Sequence, residues 1–100
     1  MSARSFDVNK EGKYGNVKVK HVQHLTFVIL HQTEVLMFDN ISKVVKLNSG
    51  GWKTNTTKTA MNNALNQLGL KVEVKQVKGE WFVMKEKEKH EFIDNQVVFL

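Results

Sequence analysis

The apolar residues of this chain follow a two-residue period over most of its length and change to a helical period in one segment only. Valine alternates with lysine over residues 17–20 and with lysine or glutamate over 71–75, which is typical of half-buried strands. Residues 25–30 and 34–38 are richer in apolar side chains and predict central strands, or strands covered by a helix. Further strands are predicted at 44–47, 81–84 and 96–100.

The helical period covers about residues 55–68. Its apolar face consists of Thr57, Met61, Ala64, Leu65 and Leu68. Thr54 or Asn55 can cap the first turn through a side-chain oxygen, and Gly69 stands where a left-handed C-terminal cap belongs. The predicted fold is therefore α+β: a mainly antiparallel sheet of about five to six strands with one amphipathic helix packed on it.

The length of 100 residues fits a single domain. Residues 1–14 are polar and weakly patterned, so we expect a mobile lead-in there and one α+β domain over 15–100. Turns are predicted at 31–33, at 39–40 and at Lys78-Gly79.

Several classes of protein are disfavoured by composition. The chain contains no cysteine, which excludes a disulfide framework and a thiolate metal site. The apolar runs at 27–30 and 35–38 are far shorter than the roughly 20 residues that span a bilayer. We therefore expect a soluble, cytoplasmic protein that does not bind membranes.

Positive charge is concentrated in one part of the sequence. The net charge is +5, and no acidic residue occurs between Asp39 and Glu73. That interval contains Lys43, Lys46, Lys53, Lys58 and Lys71. A basic surface of this kind favours polyanionic partners. Lys18 and Lys20 could extend it.

The Gly-Gly-Trp loop before the helix has the composition of an anion-binding site. Glycines allow backbone N–H groups to approach a ligand, a helix N-terminus favours negative charge, and Trp52 could stack on a base. The predicted nucleic-acid-binding residues are Lys46, Ser49, Gly50, Gly51, Trp52, Lys53, Thr54, Asn55, Thr56, Lys58, Thr59 and Asn62. A purely structural role is the alternative, with a Gly-Gly turn, capping threonines and a core tryptophan.

The outward face of the helix is the second informative feature. It is predicted to carry Asn55, Thr59, Asn62, Asn63 and Asn66. Asparagine and threonine are poorer helix formers than glutamate or lysine, so their use favours a binding surface. The partner is a nucleic acid of undetermined type or, alternatively, a host protein such as a polymerase or a defence factor. A homodimer formed through this face is a further possibility.

Residues 46–62, with the run Ser49-Gly50-Gly51-Trp52-Lys53-Thr54 at their centre, resemble a segment of small uncharacterised proteins of tailed bacteriophages. A looser resemblance covers residues 70–84. The resemblance implies a phage protein acting in the cytoplasm of a bacterial host, and it implies no activity. Lys53 stands where some relatives carry arginine, and a lysine offers no bidentate fork for reading bases.

Enzymatic chemistry is not predicted. Glu73 and Lys75 match the Glu-x-Lys half of a metal-dependent nuclease signature, with Asp39 as a conceivable acidic partner. This spacing arises readily by chance in a charged, alternating strand. His21 and His24 are three residues apart in a strand and would face opposite sides, which disfavours a shared metal ion. We therefore expect no catalytic residue, no metal and no cofactor, with a nuclease as the weaker alternative.

Overall fold

A computed structural model describes residues 6–99, which form nine antiparallel strands and one helix in that range. The strands are β1 (Gly12–Tyr14), β2 (Val17–Val22), β3 (Leu25–Leu30), β4 (Thr33–Asp39), β5 (Val44–Leu47), β6 (Val72–Val77), β7 (Glu80–Lys85), β8 (Glu88–Glu91) and β9 (Gln96–Phe99). The helix α1 is Asn55–Gln67. The α+β class, the large antiparallel sheet and the single amphipathic helix are confirmed.

The strands divide into two sheets. Six of them form a large sheet in the order β1-β2-β3-β4-β5-β9, and three form a small sheet in the order β6-β7-β8. The last strand thus returns from the small sheet to pair with β5, with Val45 opposite Val98. The alternating pattern predicts the strands but not this division, because strands of either sheet have the same period.

A two-layer arrangement buries one face of the large sheet. Its inward side chains are Val17, Val19, Val28, Leu30, Leu36, Phe38, Val45, Leu47 and Val98, all buried. They share one core with buried residues of α1 and with Val72, Val74, Trp81 and Val83 of the small sheet. The smallest dimension is 19 Å, which fits two layers of secondary structure roughly 10 Å apart.

The opposite face of the large sheet is not covered by any element of residues 6–99. We call it the open face. Register and alternation place on it Lys13, Lys18, Lys20, Val22, Leu25, Phe27, Ile29, Glu34, Met37, Asp39, Val44, Lys46, Val97 and Phe99. None of these side chains is fully buried. Strands β3 and β4 lie in the middle of the sheet and pack against α1, as predicted, but only on one face.

The ends of the helix follow from local sequence. The Thr54 side chain accepts a hydrogen bond from the Thr57 N–H at 3.3 Å, which confirms the predicted N-terminal cap. Beyond the C-terminus, Gly69 has a φ of +73° and Leu70 donates its N–H to Leu65 O at 3.0 Å. This closing bond satisfies a carbonyl that the last turn leaves unpaired.

Part of the predicted lead-in belongs to the fold. Phe6 and Val8 are buried in the core, and residues 12–14 form the edge strand β1. The Gln67 side chain fixes this segment, since it donates to Phe6 O and accepts from the Val8 N–H. The domain therefore begins before residue 15. Residues 1–5, the rest of the expected mobile lead-in, lie outside the described residues.

The second difference from the sequence-based expectation lies at 85–91. The sequence predicts strands at 81–84 and 96–100 with none between them, whereas β7 continues to Lys85 and β8 begins at Glu88. All four side chains of β8 are exposed. This strand has no apolar face to mark it in the sequence, and it is held by pairing with β7 alone.

Candidate nucleic-acid interface

The backbone donors of the Gly-Gly-Trp loop are engaged within the protein. The Gly50 N–H donates to Asn48 Oδ1, the Gly51 N–H to Ser49 Oγ, and the Trp52 N–H to Ser49 O. These distances are between 3.0 and 3.2 Å. These bonds disfavour the expected binding of a phosphate by backbone N–H groups of Ser49, Gly50 and Gly51, because a bound anion would have to displace existing partners.

Ser49 is buried and anchors the loop from below. Its N–H and its hydroxyl both donate to Asp94 Oδ1, at 2.8 and 2.7 Å. Asp94 lies between β8 and β9, so this pair ties the loop to a segment 45 residues further along the chain. A carboxylate directly beneath the loop also opposes anion binding there. Ser49 is thus a structural residue and not a ligand-binding one.

Trp52 has the opposite environment, since 67% of its surface is exposed. Its backbone is fixed on both sides, by the bond from its own N–H and by the Thr54 N–H, which donates to Trp52 O at 2.9 Å. The other tryptophan, Trp81, is the core residue: it is 3% exposed and packs edge-on against Phe92. Within residues 6–99 the Trp81 indole N–H has no hydrogen-bond partner. Exposure leaves Trp52 available for stacking.

The lysines of the loop and helix occupy separate positions. Lys53 Nζ lies 5.8 Å from the centre of the Phe92 ring, a cation–π distance. Lys58 Nζ donates to Gln76 Oε1 at 3.3 Å, between α1 and β6. No acidic residue occupies the first turn of the helix. Lys53 thus follows Trp52 in the loop, and Lys58 lies one turn into the helix.

Lys46 belongs to a different surface. Its neighbours Val45 and Leu47 face the core, so Lys46 points to the open face of the large sheet. The sequence places it seven residues before Lys53, but the sheet separates it from the helix. Lys18 and Lys20 are on the same open face as Lys46. The structure therefore does not bring Lys46 to the Trp52 surface.

Asn62 is a structural residue. Its amide donates to Val74 O at 2.9 Å, and its carbonyl oxygen accepts from the Val74 N–H at 2.8 Å. This pair of bonds satisfies the free edge of β6, which would otherwise present unpaired backbone groups. The prediction that Asn62 projects outward to touch a base is wrong. Asn55 and Asn66 are exposed, whereas Thr56, Thr59 and Asn63 are half-buried.

We define the Trp52 surface by the predicted residues that remain on the outside around the start of the helix. Its members are Trp52, Lys53, Thr54, Asn55, Thr56, Lys58 and Thr59. Thr54 combines exposure with its capping role. The sequence did not predict two residues that contact this part of the chain: Asp94, which accepts hydrogen bonds from Ser49, and Phe92, whose ring lies near Lys53 Nζ. The only signal for them was an aromatic residue followed two positions later by an acidic one near the C-terminus.

The residues of the alternative chemistries lie apart. Asp39 is on β4 of the large sheet and Glu73 on β6 of the small one. His21 Nε2 contacts Val8 O at 2.7 Å, whereas His24 lies 3.6 Å from Asp39. Across residues 6–99 no group of three or more histidine, cysteine, aspartate or glutamate side chains is arranged to hold a metal ion.

In the same range, no helix combines the length and the apolar character required to cross a lipid bilayer.

Comparison with known proteins gives the origin of the chain. A family model described as "Kyanoviridae Gp96 protein" matches residues 2–99. No curated protein and no solved structure matches the chain. The match covers nearly the whole sequence and confirms the bacteriophage origin that the resemblance of residues 46–62 implies. The chain therefore belongs to the Kyanoviridae Gp96 protein family.

Proposed function

We propose that this phage protein is a non-enzymatic nucleic-acid-binding protein of the host cytoplasm that uses the Trp52 surface. The observation that supports the proposal most is the exposure of Trp52 on a loop with a fixed backbone. A loop whose backbone is already fixed loses little conformational freedom when a base stacks on its indole, and such stacking accepts any base.

The surroundings of Trp52 favour a polyanion. Lys53 adjoins it in the chain, Lys58 lies one turn into the helix, and the first turn carries no carboxylate. The positive end of the helix dipole lies at the same place. In this proposal Lys53 and Lys58 bind phosphates, Trp52 stacks on a base, and Asn55, Thr56 and Thr59 contact sugars or base edges. Phosphate contacts come from side chains, since the loop N–H groups are engaged.

The first test is fluorescence anisotropy of labelled single- and double-stranded DNA and RNA over a salt series. Trp52→Ala should weaken binding by about 5- to 150-fold, because stacking contributes roughly 1–3 kcal/mol per base. Lys53→Ala/Lys58→Ala should reduce the slope of log K against log salt by about 2. The matched control is Lys18→Ala/Lys20→Ala, which removes the same charge from the open face and should leave binding unchanged.

A second readout uses the two tryptophans. Stacking should quench the emission of Trp52, whereas Trp81 is buried and out of reach of a ligand. The Trp52→Phe variant retains only Trp81, and its emission should not respond to nucleic acid. Absence of binding at low salt, or equal loss in the Lys18/Lys20 control, would refute this site.

The alternative is a host protein bound through the same surface, with Trp52 as a hot-spot anchor. Tryptophan is among the residues most enriched at such anchors. Binding of this type depends much less on salt than phosphate binding does. A chain that binds no oligonucleotide, yet loses a salt-resistant host partner on Trp52→Ala, would support this alternative. Asn63→Ala and Asn66→Ala would test whether the helix face that carries these residues binds the host protein. The same two variants would test a homodimer formed through that face.

A further inference from the structure

The open face of the large sheet is apolar at its centre. Across four neighbouring strands, the register aligns Phe27, Met37, Lys46 and Val97. The exposed fractions of Val97 and Phe99 are 46% and 70%, and Leu25, Ile29 and Val44 are only half-buried. Lys46 and Asp39 are the charged side chains among these apolar residues. A group of neighbouring apolar residues on an uncovered sheet face marks an interaction site, because exposed apolar residues on ordinary surfaces are scattered singly.

Lysines border this apolar centre on the side of β1 and β2. Lys13 pairs with Lys18 in the register, and Lys20 lies beside Phe27. Within residues 6–99 none of these amines, nor that of Lys46, is within ion-pair distance of a carboxylate. Two nearby carboxylates are engaged elsewhere, since Glu11 accepts the His21 N–H and Asp39 accepts the N–H groups of Ile41 and Ser42. Glu34 is the remaining acid on this face.

This charge pattern disfavours a second copy of the chain. In a two-fold face-to-face dimer, the lysines of one copy would meet either the same lysines or the apolar row of its partner. Among residues 6–99, Glu34 is the one carboxylate on this face without another contact, too few for Lys13, Lys18, Lys20 and Lys46, and an amine desolvated without a partner is costly. A face with this composition requires a different, acidic partner.

The aromatic spacing disfavours a single-stranded nucleic acid. Phe27 is on β3 and Phe99 on β9, three strand spacings apart, or about 14 Å. Between them lie Met37, Asp39, Val44 and Lys46, which offer no ring for a base to stack on. An aliphatic centre with methionine and peripheral lysines has the composition of a protein interface.

We propose that the open face binds an acidic amphipathic helix of another protein. The six strands span roughly 24 Å, the length of a helix of about 16 residues. The apolar stripe of that helix would lie on Phe27, Met37 and Val97. Its carboxylates would pair with Lys18 and Lys20 next to Phe27, and with Lys46, which stands between Met37 and Val97 in the register. This site is on the opposite side of the large sheet from α1 and does not depend on the proposed nucleic-acid site.

The probe is a synthetic 16-residue helix with leucine on one face and glutamate on its flanks, titrated into ¹⁵N-labelled full-length protein. A second peptide replaces each glutamate with lysine. The glutamate peptide should shift backbone resonances of β2, β3, β4, β5 and β9 and leave the Trp52 surface unchanged. The lysine peptide should bind at least roughly tenfold more weakly, a difference of about 1.4 kcal/mol.

Two variants test the contacts. Lys18→Glu/Lys20→Glu should exchange the preference of the two peptides, and Val97→Ser/Phe99→Ser should weaken the glutamate peptide by roughly tenfold. These side chains are exposed, so circular dichroism should show an unchanged fold. Trp52→Ala serves as the matched control and should not affect peptide binding.

Three results would overturn the inference. Equal affinity for both peptides would show that charge complementarity plays no part. Oligonucleotide-induced shifts on β2, β3 and β9 would identify the open face as the nucleic-acid surface instead. Concentration-dependent dimerisation in sedimentation that Val97→Ser/Phe99→Ser abolishes would assign the face to a second copy.

Discussion

The two faces of the large sheet are built from similar residues but have different environments. Leu36 and Met37 are adjacent in β4: Leu36 is completely buried beneath the second layer, and Met37 is only half-buried on the open face. The same contrast holds along β3, where Val28 is buried and Ile29 is not. Apolar character alone therefore does not determine burial; the position of α1 and the small sheet does.

The comparison also separates stability from binding. Residues on the covered face contribute to the free energy of unfolding through burial, whereas those on the open face are free to contribute to recognition. Substitutions on the two faces should therefore have different consequences.

The largest difference is expected between Leu36→Ala and Met37→Ala. Leu36→Ala removes a fully buried side chain and should lower the free energy of unfolding by about 3–5 kcal/mol. Met37→Ala should cost less than about 1.5 kcal/mol, because its site is open to solvent and leaves no closed cavity. Urea denaturation followed by circular dichroism measures both values. Equal losses would mean that the open face is covered in solution.

The next effect concerns the turn that packs on the covered side. An alanine at Gly50 would combine a φ of +64° with a Cβ only 2.6 Å from Thr33 Cγ2. At Gly51 φ is +86°, but no atom lies within 4 Å of the added Cβ. We expect Gly51→Ala to cost about 1–2 kcal/mol from backbone strain and Gly50→Ala about 2–4 kcal/mol from strain plus contact.

Thermal unfolding of the two glycine variants checks that order. The double variant Gly50→Ala/Thr33→Ser is the control, since it removes the methyl group that the new Cβ would meet and should recover part of the loss. No difference between the single variants would indicate that Thr33 moves aside freely.

A smaller effect is expected from Asn62→Ala. This change leaves the edge N–H and C=O of Val74 without their partner and should cost about 1–3 kcal/mol. Hydrogen exchange at the Val74 amide should accelerate as well. Asn66→Ala is the matched control on the same helix: Asn66 is exposed, and alanine is a better helix former, so stability should stay the same or rise. An unchanged free energy of unfolding in Asn62→Ala would show that water replaces the two hydrogen bonds to Val74.

The smallest effect is a pH dependence at the edge of the open face. The hydrogen bond from the Ser42 N–H lowers the pKa of the Asp39 carboxyl below its ordinary value. Because the folded-state pKa is below the unfolded one, the stabilisation is complete above the unfolded pKa of about 3.9 and is lost as pH falls through the folded value. Wild type should therefore lose stability relative to Asp39→Asn on acidification below about pH 4. Urea denaturation of both proteins at a series of pH values measures this difference. The same dependence of unfolding free energy on pH in the two proteins would contradict the prediction.

Local structure is what the sequence by itself determined. The helix, its Thr54 cap and the turn at Lys78-Gly79 agree with the sequence prediction, and the turn predicted at 31–33 is found at 31–32 because β4 begins at Thr33. Each depends on a period or a backbone requirement that a few consecutive residues satisfy. The exposure of Trp52 is not such a property. From the sequence, Trp52 could be either a core residue or a surface residue. In the structure Trp81 is the tryptophan of the core, and Trp52 is exposed.

Only the tertiary structure decided how the strands divide and which groups remain available. The bonds from Ser49 to Asp94 join residues 45 apart, and they engage donors that the loop sequence offered to a ligand. Asn62 likewise finds the edge of β6, and Lys46 is directed to the open face by pairing with β4 and β9. These outcomes depend on contacts between distant segments, and a two-residue period does not specify which segments meet. A chain of alternating residues therefore determines its strands but not which face of the sheet the second layer covers.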